Sequence, residues 1–325
     1  MKIFIAGATG VVGRRVVPML LEGGWTVTAV ARAAEKVKEL GRLGARPELV
    51  DLFDPAAVAR AVVGHDAVCN LATSIPSSNR AMLPFAWRRN DRVRTLASRN
   101  LVEAAIRAGA GRYIQESFAP MYPSCGDRWI DETSPVSPAP HVRSAVTAEH
   151  NTKKFTEAGG QGVVLRFAYF YGPDSHHTLD VIRMAKAGWA AAFGRPEDYI
   201  SSIHTDDAAR AVVAALRAPA GVYNVADDGP VTKREFFAAL AAALGVPPPR
   251  FLPGFFARLA GSVGETLARS QRISNRRLKE QSGWSPAYPS VREGLPTLVR
   301  QLSAGPPPSG VGRGGRRASA VRPPA

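Results

Sequence analysis

Cysteine is scarce in this sequence, and its scarcity excludes two kinds of stabilising framework. Only Cys69 and Cys125 occur among the 325 residues. Two thiols cannot build a disulfide framework, and they cannot supply the ligands of a structural metal cluster. We therefore predict a protein without a bound metal. Its 45% content of hydrophobic residues is enough for a sizeable apolar core.

Long apolar runs are missing as well. The longest candidate, residues 236–246, is too short for a membrane-spanning helix, which needs about 18 apolar residues. The chain starts with Met1 and an apolar strand that passes directly into a glycine turn, which leaves no room for a signal peptide. These features predict a soluble cytoplasmic protein with no membrane partner.

Acidic residues are outnumbered, 27 against 42 Lys and Arg, which gives a formal net charge of +15. A nucleic-acid-binding protein would cluster such charges and interleave them with aromatic residues. Here the arginines are scattered along the chain, and part of the excess lies in the last 21 residues, at Arg313, Arg316, Arg317 and Arg322. We therefore expect no nucleic-acid partner.

The end of the chain differs in composition from the rest. From residue 305 onward ten residues are Gly or Pro, and such a segment cannot bury enough apolar surface to offset its ordering entropy. We predict a disordered tail over 303–325.

Upstream of that tail, short β-branched runs alternate with helix-like stretches. Such alternation is typical of parallel strands joined by crossover helices, so the predicted fold class is α/β with a doubly wound parallel (Rossmann) sheet. The predicted strands are residues 2–6, 26–31, 67–71, 112–115 and 162–167, and the helices between them include 13–22, 54–63, 88–108 and 144–158.

A glycine-rich turn, Gly-Ala-Thr-Gly-Val-Val-Gly over residues 7–13, directly follows the first predicted strand. In a dinucleotide-binding turn the first glycine permits the tight turn, the second lets a pyrophosphate approach, and the third lets the helix pack on the strand. The following helix N-terminus offers N–H groups to the phosphates. Glycine also marks ordinary turns, but this position favours dinucleotide binding. The predicted cofactor-binding residues here are Gly7, Thr9, Gly10, Val11, Val12 and Gly13.

The end of the second predicted strand carries information on cofactor choice. NAD-binding proteins usually place an acidic residue here to hold the ribose 2′-hydroxyl, and Ala31 and Arg32 offer none. Arg32 can instead meet the 2′-phosphate of NADP through a charge-assisted contact. The alternative is an exposed arginine that opens a loop. We predict NADP as the cofactor and leave NAD open.

Several motifs in one order give the chain a resemblance to the extended short-chain dehydrogenase/reductase superfamily, of the NAD(P)-dependent epimerase/dehydratase type. The glycine turn at 7–13 matches the family's spacing. Residues 203–209 (Ile-His-Thr-Asp-Asp-Ala-Ala), 221–225 (Gly-Val-Tyr-Asn-Val) and 283–286 (Gly-Trp-Ser-Pro) resemble signatures of its C-terminal part. The resemblance extends from residue 1 to about 300.

The resemblance implies further cofactor contacts. Asp51 and Leu52 resemble the family's adenine-contacting pair, and Leu71, Ala72 and Thr73 resemble the segment that lies along the cofactor.

The resemblance also implies two domains. Residues 1–175 would form the dinucleotide-binding domain, with residues of about 200–226 returning to it. Residues 176–302 would form a smaller α/β substrate-binding domain.

The catalytic signature of the family is missing. Its members normally use a Tyr-x-x-x-Lys pair, in which the phenol exchanges a proton with the substrate oxygen and the lysine lowers the pKa of that phenol. None of the seven tyrosines is followed four residues later by a lysine. The resemblance aligns His141 with the tyrosine and Ala145 with the lysine. Because an imidazole with a pKa near 6.5 exchanges protons at neutral pH, we predict His141 as the substitute; the alternative is a surface histidine.

The family's catalytic hydroxyl aligns best with Phe118, one residue past Ser117. A shift of one residue along a strand turns the side chain to the opposite face. Ser117 is our second predicted catalytic residue, on the condition that the backbone bulges there. Two other groups are predicted to be structural. Thr205 or Asp206 caps a helix, and Glu149 and Glu157 pair with Lys153, which lies between them at four-residue steps on a helix face.

These observations predict an atypical NAD(P)-dependent oxidoreductase or epimerase/dehydratase-like enzyme for a small oxygenated substrate, sugar-like or carbonyl. Two alternatives stay open: a catalytically degenerate NAD(P)-binding sensor or partner-binding protein, and a member that uses the fold for non-redox chemistry. The expected partners are the dinucleotide and the substrate, and a homodimer is left open.

Overall fold

Apolar runs at the predicted strand positions form the buried centre of the structure. The computed structural model of the chain describes residues 1–253 and 255–304, with the backbone alone at residue 255. Ile3, Phe4 and Ile5 of the first strand are fully buried, as expected for a parallel strand that helices cover on both faces.

Strands and helices alternate through most of the described chain. The strands are β1 (Lys2–Ala6), β2 (Thr26–Ala31), β3 (Arg46–Leu49), β4 (Ala67–Asn70), β5 (Arg112–Phe118), β6 (Trp129–Ile130), β7 (Gln161–Phe167), β8 (Tyr169–Tyr171), β9 (Tyr199–Ile200), β10 (Ser202–His204), β11 (Gly221–Val225), β12 (Val231–Thr232) and β13 (Arg272–Ile273). The helices are α1 (Gly13–Glu22), α2 (Ala34–Arg42), α3 (Pro55–Val62), α4 (Arg88–Arg92), α5 (Ser98–Arg107), α6 (Arg143–Glu157), α7 (His176–Lys186), α8 (Thr205–Ala215), α9 (Lys233–Leu244), α10 (Phe255–Leu259), α11 (Gly261–Ala268), α12 (Arg276–Ser282) and α13 (Val291–Ser303).

Seven strands form one sheet in the order β11-β7-β5-β4-β1-β2-β3, and all of its neighbouring pairs are parallel. The chain runs outward from β1 to β3 and then returns across β1 to β4 and beyond. This order is doubly wound, and it leaves a crevice at the carboxyl ends of β1 and β4, where the direction of winding reverses. The predicted α/β fold class is therefore confirmed.

Helices pack on both faces of this sheet. On one face, Val16, Val17 and Leu20 of α1 belong to a cluster that also contains residues of α8. On the other face, Leu101 of α5 and Phe155 of α6 pack with the strands and α3. Full burial of such a side chain contributes roughly 1.5–3 kcal/mol, so these two layers hold the strand ends in a fixed arrangement.

The helix predicted over 88–108 is divided in the structure. α4 ends at Arg92, a π-helical turn spans Val93–Ala97, and α5 follows directly. Turns of this kind insert an extra residue into a helix and occur frequently at functional sites. Asn90 and Arg94, before and within the turn, are both buried.

A further apolar core lies among α7, α9 and α13, and Ile182, Phe237 and Leu298 belong to it. α9 begins with a capping box, in which the Thr232 hydroxyl and the Glu235 carboxylate each accept a hydrogen bond from the other residue's backbone N–H. These helices fall within the segment 176–302, and its boundary as a substrate domain stays a prediction.

The tail predicted over 303–325 lies almost wholly outside the described residues. Ser303, its first residue, is the last residue of α13. Within residues 1–253 and 255–304, no helix combines the length and apolar character needed to cross a bilayer. In the same ranges, no group of three or more His, Cys, Asp or Glu side chains is placed to hold a metal ion.

Candidate cofactor and substrate site

In the turn after β1, two glycines lie so close to other backbone atoms that a side chain would not fit. Gly7 has a φ of +84°, and a Cβ there would lie 2.4 Å from the carbonyl carbon of Leu71. A Cβ on Gly13 would lie 2.1 Å from the carbonyl oxygen of Gly7. Gly10 donates its N–H to that same oxygen at 3.0 Å and is exposed. Gly7 and Gly13 are therefore required by the fold, whereas Gly10 faces outward.

The N-terminus of α1 has the features of an anion site. Val12 precedes the helix without a side-chain hydrogen bond to the first turn, and that turn contains no acidic residue. The first N–H groups of a helix need partners from outside it, and the helix dipole favours a negative charge there. Thr9 and Val11 border this N-terminus and are half-buried. The turn therefore fits the diphosphate of a dinucleotide.

The other predicted cofactor residues follow neighbouring strand ends. Arg32 is exposed directly after β2, and Asp51 is exposed after β3. The Leu52 carbonyl accepts from the Asn100 side chain at 3.0 Å.

The segment after β4 is fixed by two hydrogen bonds. The Leu71 N–H donates to Ala6 at 2.9 Å, and the Ala72 N–H donates to the Asn70 side chain at 3.2 Å. Thr73 is half-buried. These residues all lie at the carboxyl edge of the sheet, where dinucleotides bind in open α/β folds.

A buried ion pair lies beneath this edge. Arg94, in the π turn, donates to Glu116 of β5 at 2.6 Å, and the two side chains are 2% and 10% exposed. The Arg94 Nε and Glu116 Oε2 atoms are buried without a hydrogen-bond partner among the described residues. This pair was not predicted from the sequence, because no local pattern joins residues 22 positions apart.

His141 lies in a short 3₁₀ turn, Pro140–Val142, immediately before α6. It is 9% exposed, its Nδ1 lies 3.0 Å from the Ser262 hydroxyl, and its ring centroid lies 4.6 Å from that of Trp87. Burial, reinforced by the charges of Arg269 and Arg94, lowers the pKa of His141 to about 4. The imidazole is therefore neutral at pH 7. Its pKa lies below the ordinary value near 6.5 that was assumed from the sequence. Its catalytic role stays a prediction.

Ser117 is fully buried in β5. Its hydroxyl donates to Glu149 at 2.6 Å. β5 stays in regular register with β7 through Ser117 and Phe118, so the backbone does not bulge there toward β7. Phe118 instead contacts Tyr169, with ring centroids 5.9 Å apart. The contacts thus place Ser117 in a buried polar network, and its predicted catalytic role stays a prediction.

That network is centred on Glu149 and Arg166. Arg166 donates to both oxygens of the Glu149 carboxylate at 2.9 and 2.7 Å, and to the Tyr122 hydroxyl at 2.7 Å. Lys153 pairs with Glu157 on the helix surface instead. The predicted pairing of Lys153 with Glu157 is confirmed. Its predicted pairing with Glu149 was wrong, because a buried arginine from β7 offers a two-point contact that the flexible lysine cannot match.

The cap of α8 also differs from the prediction. His204, not Thr205 or Asp206, is the N-cap residue, and its Nδ1 accepts from the Asp206 N–H at 3.2 Å. The Asp206 carboxylate accepts from Arg15 of α1 instead. Burial lowers the pKa of His204, which keeps the ring neutral and able to accept. Histidine is outside the usual set of capping residues, which is why the sequence pattern did not indicate it.

A cavity of about 740 Å³, including the part open to solvent, adjoins the strand ends. Tyr169 and Tyr171 of β8 line it together with Tyr199, Phe236 and Phe237. The remaining wall is largely aliphatic. Tyr169 also contacts Phe118 at the end of β5, and the other lining residues come from β8 and from residues 177–295.

A doubly wound sheet and an uncapped helix after a glycine turn are the features of a dinucleotide-binding fold. The model of the NAD dependent epimerase/dehydratase family matches residues 3–226. The chain belongs to this family, which confirms the resemblance inferred from its motifs.

Individual relatives agree with this assignment. The chain is 33% identical over 310 residues to a 3-diazoavenalumate denitrifying reductase of a Streptomyces species, covering 91% of this chain and 99% of that protein. UDP-glucose 4-epimerase of Thermotoga maritima has a TM-score of 0.77 at 24% identity, over 94% of this chain and 99% of the other. A human epimerase family protein with NADPH has a TM-score of 0.76 at 20% identity, over 93% and 100%. The two structural likenesses show the same fold.

Proposed function

We propose that this chain is an NADPH-dependent reductase whose substrate accepts hydride without a proton from a protein phenol. The observation that carries the proposal lies at the start of α6, where His141 and Ala145 occupy the places of the family's tyrosine and lysine. Ala145 is fully buried and cannot ionise, and the lowered pKa of His141 leaves it uncharged at pH 7. This pair lacks the acid that reduction of a ketone requires at the substrate oxygen.

A diazo compound in its diazonium form meets this requirement. The dinucleotide, when bound in its reduced form, would supply a hydride. A C–H bond would form at the diazonium carbon, and N₂ would leave with the electrons of the broken C–N bond. No added proton is needed. The relative at 33% identity is named as a denitrifying reductase of a diazo compound, which supports this substrate class for our chain.

The cofactor is proposed to lie along the carboxyl edge of the sheet. Backbone N–H groups of residues 11–13 would hold the diphosphate, Asp51 and Leu52 the adenosine, and residues 71–73 the remainder of the molecule. Arg32 would meet the 2′-phosphate, since its guanidinium is exposed at the end of β2 and Ala31 beside it carries no competing charge. This arrangement supports NADPH over NADH.

His141 is proposed to act as a neutral hydrogen-bonding group toward the substrate. When the Ser262 hydroxyl donates to Nδ1, the ring hydrogen lies on Nε2, which is then a donor. Trp87 packs against the ring and fixes its orientation. Ser117 is proposed to be a positioning residue, because its bond to Glu149 ties β5 to α6, whose start carries His141.

The test uses the purified full chain, NADPH and benzenediazonium-4-carboxylate. We expect loss of NADPH absorbance, release of N₂ and formation of benzoate faster than without enzyme, with deuterium from 4-deuterated NADPH appearing on the ring carbon. The matched control is the Gly10→Ala variant, which keeps the fold but is expected to lose cofactor affinity.

Two results would overturn the proposal. One is a diazonium reduction rate equal to the uncatalysed rate while aryl ketones are reduced efficiently. The other is tight binding of NADPH with no turnover of either substrate, which would instead support a cofactor-binding sensor.

A further inference from the structure

A lysine is buried in the wall of the cavity. Lys233, the first residue of α9, is 2% exposed and lines the space together with the aromatic residues. Its ammonium donates to the Phe193 carbonyl at 2.8 Å. A lysine side chain is almost never fully buried unless an opposite charge pairs with it. The charged groups around Lys233 therefore determine whether its charge is already balanced.

The surrounding charges do not balance. The carboxylate nearest to Lys233 is Asp198, at 3.8 Å, which is beyond hydrogen-bond distance. Asp198 already accepts from the backbone N–H of Arg195 at 2.7 Å and from its guanidinium at 3.2 Å. One carboxylate thus faces two cations. Arg195 is 79% exposed and solvated, whereas Asp198 is 8% exposed, so the surplus positive charge lies on the buried lysine.

The other charged residue in the wall is satisfied. Arg269 donates to the Pro120, Tyr122 and Ser137 carbonyls and pairs with Glu265 at 2.7 Å. It therefore has a counter-ion within hydrogen-bond distance, whereas Lys233 lies 3.8 Å from an Asp198 carboxylate that it shares with Arg195.

Two hydroxyl groups in the wall are also unmatched. The phenol oxygens of Tyr169 and Tyr171 are buried and have no hydrogen-bond partner among the described residues, and both tyrosines line the cavity. The Tyr171 hydroxyl packs against Gly294 of α13, so the Tyr169 hydroxyl is the one that we assign to a ligand. An unpaired buried hydroxyl costs roughly 1–3 kcal/mol, and an acceptor atom of a bound ligand would remove that cost.

We propose that this cavity binds a monoanionic aryl or unsaturated carboxylic acid, with the carboxylate on the Lys233 ammonium and the apolar body against Tyr199, Phe236 and Phe237. The proposal rests on the proposed function for its premise that the cavity holds the substrate. A single surplus charge matches a carboxylate. The largely apolar wall offers too few donors for the several phosphate and hydroxyl groups of a nucleotide sugar.

Binding of such an acid should depend on pH. Burial lowers the pKa of Lys233 to about 8; the charge of Arg195 adds to this and that of Asp198 opposes it. Among the other titratable groups in the wall, desolvation lowers the pKa of His177 and raises the pKa values of Tyr169 and Tyr171. Arg269 pairs with Glu265 at 2.7 Å. Above pH 8 the free protein therefore loses the lysine proton that the carboxylate needs, and affinity for the acid falls.

The test is calorimetric titration of the full chain, without cofactor, with cinnamate and its neutral isostere cinnamamide. We expect cinnamate to bind the wild type at least tenfold more tightly at pH 7, and this preference to decrease between pH 8 and 9. In Lys233→Met the preference should vanish while cinnamamide binding persists. Lys153→Met, at an exposed lysine, is the matched control and should keep the preference.

Equal affinity for the acid and the amide in the wild type would overturn the inference, as would a preference that survives in folded Lys233→Met. Should that variant not fold, the pH dependence in the wild type decides the question. A cinnamate preference without diazonium turnover would leave the inference standing and overturn the proposed function. Equal turnover of diazonium substrates with and without a carboxylate would overturn the inference and leave the proposed function standing.

Discussion

Arg166 and Glu149 form a two-point ion pair beneath the candidate site, with Nε to Oε1 at 2.9 Å and Nη2 to Oε2 at 2.7 Å. The side chains are 8% and 12% exposed, and the pair joins β7 to α6. Ser117 and Tyr122 complete its hydrogen bonds. The pair therefore ties the helix that begins beside His141 to the strands at the sheet edge.

Removal of one partner of this pair should be costly. Arg166→Met leaves the Glu149 carboxylate buried without a counter-ion, and we expect the free energy of unfolding to fall by about 3–5 kcal/mol. Urea denaturation of the folded variant measures the loss. Glu157→Gln breaks the exposed pair with Lys153 and should change stability by less than about 1 kcal/mol. Similar losses in both variants would contradict this account of the network.

The glycine turn allows binding to be separated from folding. In Gly10→Ala the added Cβ lies 3.2 Å from the Gly7 carbonyl oxygen, which the turn can accommodate with a small shift. The methyl group then stands on the face offered to the diphosphate. We expect a melting temperature within a few degrees of the wild type and an affinity for NADPH at least tenfold lower, measured by calorimetry.

Gly13→Ala is the matched comparison, since its Cβ would lie 2.1 Å from the same oxygen. It should destabilise the fold by at least about 2 kcal/mol, because packed backbone cannot move aside. Unchanged NADPH affinity in Gly10→Ala would remove the turn from the cofactor site.

Cofactor preference should depend on Arg32. Arg32→Glu places a negative charge where the 2′-phosphate is proposed to lie and offers the ribose hydroxyl of NADH an acceptor. We expect NADPH affinity to fall about 10- to 100-fold, equivalent to about 1.4–2.8 kcal/mol, and NADH affinity to be kept or improved. Arg60→Glu, at an exposed position on α3, controls for net charge. Equal affinity of the wild type for both dinucleotides would refute the assignment of Arg32.

Stability should depend on pH through His141. Its pKa in the folded state is about 4, whereas an unfolded histidine titrates near 6.5. Between these values the unfolded chain binds more protons than the folded chain, so the free energy of unfolding rises with pH. The contribution of His141 to that free energy is complete above pH 6.5. It amounts to at most about 3 kcal/mol, and it is lost as the pH falls toward 4.

The measurement is the difference in urea midpoint between wild type and His141→Gln from pH 4 to 7. The difference should vary over this range, while the exposed His150→Gln control should show no such variation. A pH-independent difference for His141→Gln would mean that the ring is not held neutral by burial.

The sequence predicted the sheet well because its strands are short apolar runs between glycine turns. β1 and β2 have the predicted bounds. β5 continues three residues past the predicted end at Gln115, since Glu116, Ser117 and Phe118 are held by pairing with β7 rather than by local preference. The glycine turn was likewise recognisable, because its spacing reflects contacts within the turn itself.

Local sequence patterns could not predict the electrostatic part of the site. The partner of Glu149 lies on a strand rather than on its own helix, and the low pKa of His141 arises from burial and from the charges of Arg269 and Arg94, which the fold brings close. Lys233 reads in the sequence as an ordinary helix-start residue. Its burial depends on the segment 193–198, whose Phe193 carbonyl and Asp198 carboxylate lie beside the ammonium, and this segment is about 35 residues away along the chain.

The π turn at Val93–Ala97 puts α4 and α5 out of phase by one residue. Deletion of one residue there would join them into a continuous α-helix and swing everything before the turn by about 100°. Asn90 would then point away from the Ser74 N–H that it now holds at 2.9 Å, and the segment after β4 would lose its anchor. A single inserted position thus sets the angle at which this helix supports the edge of the sheet.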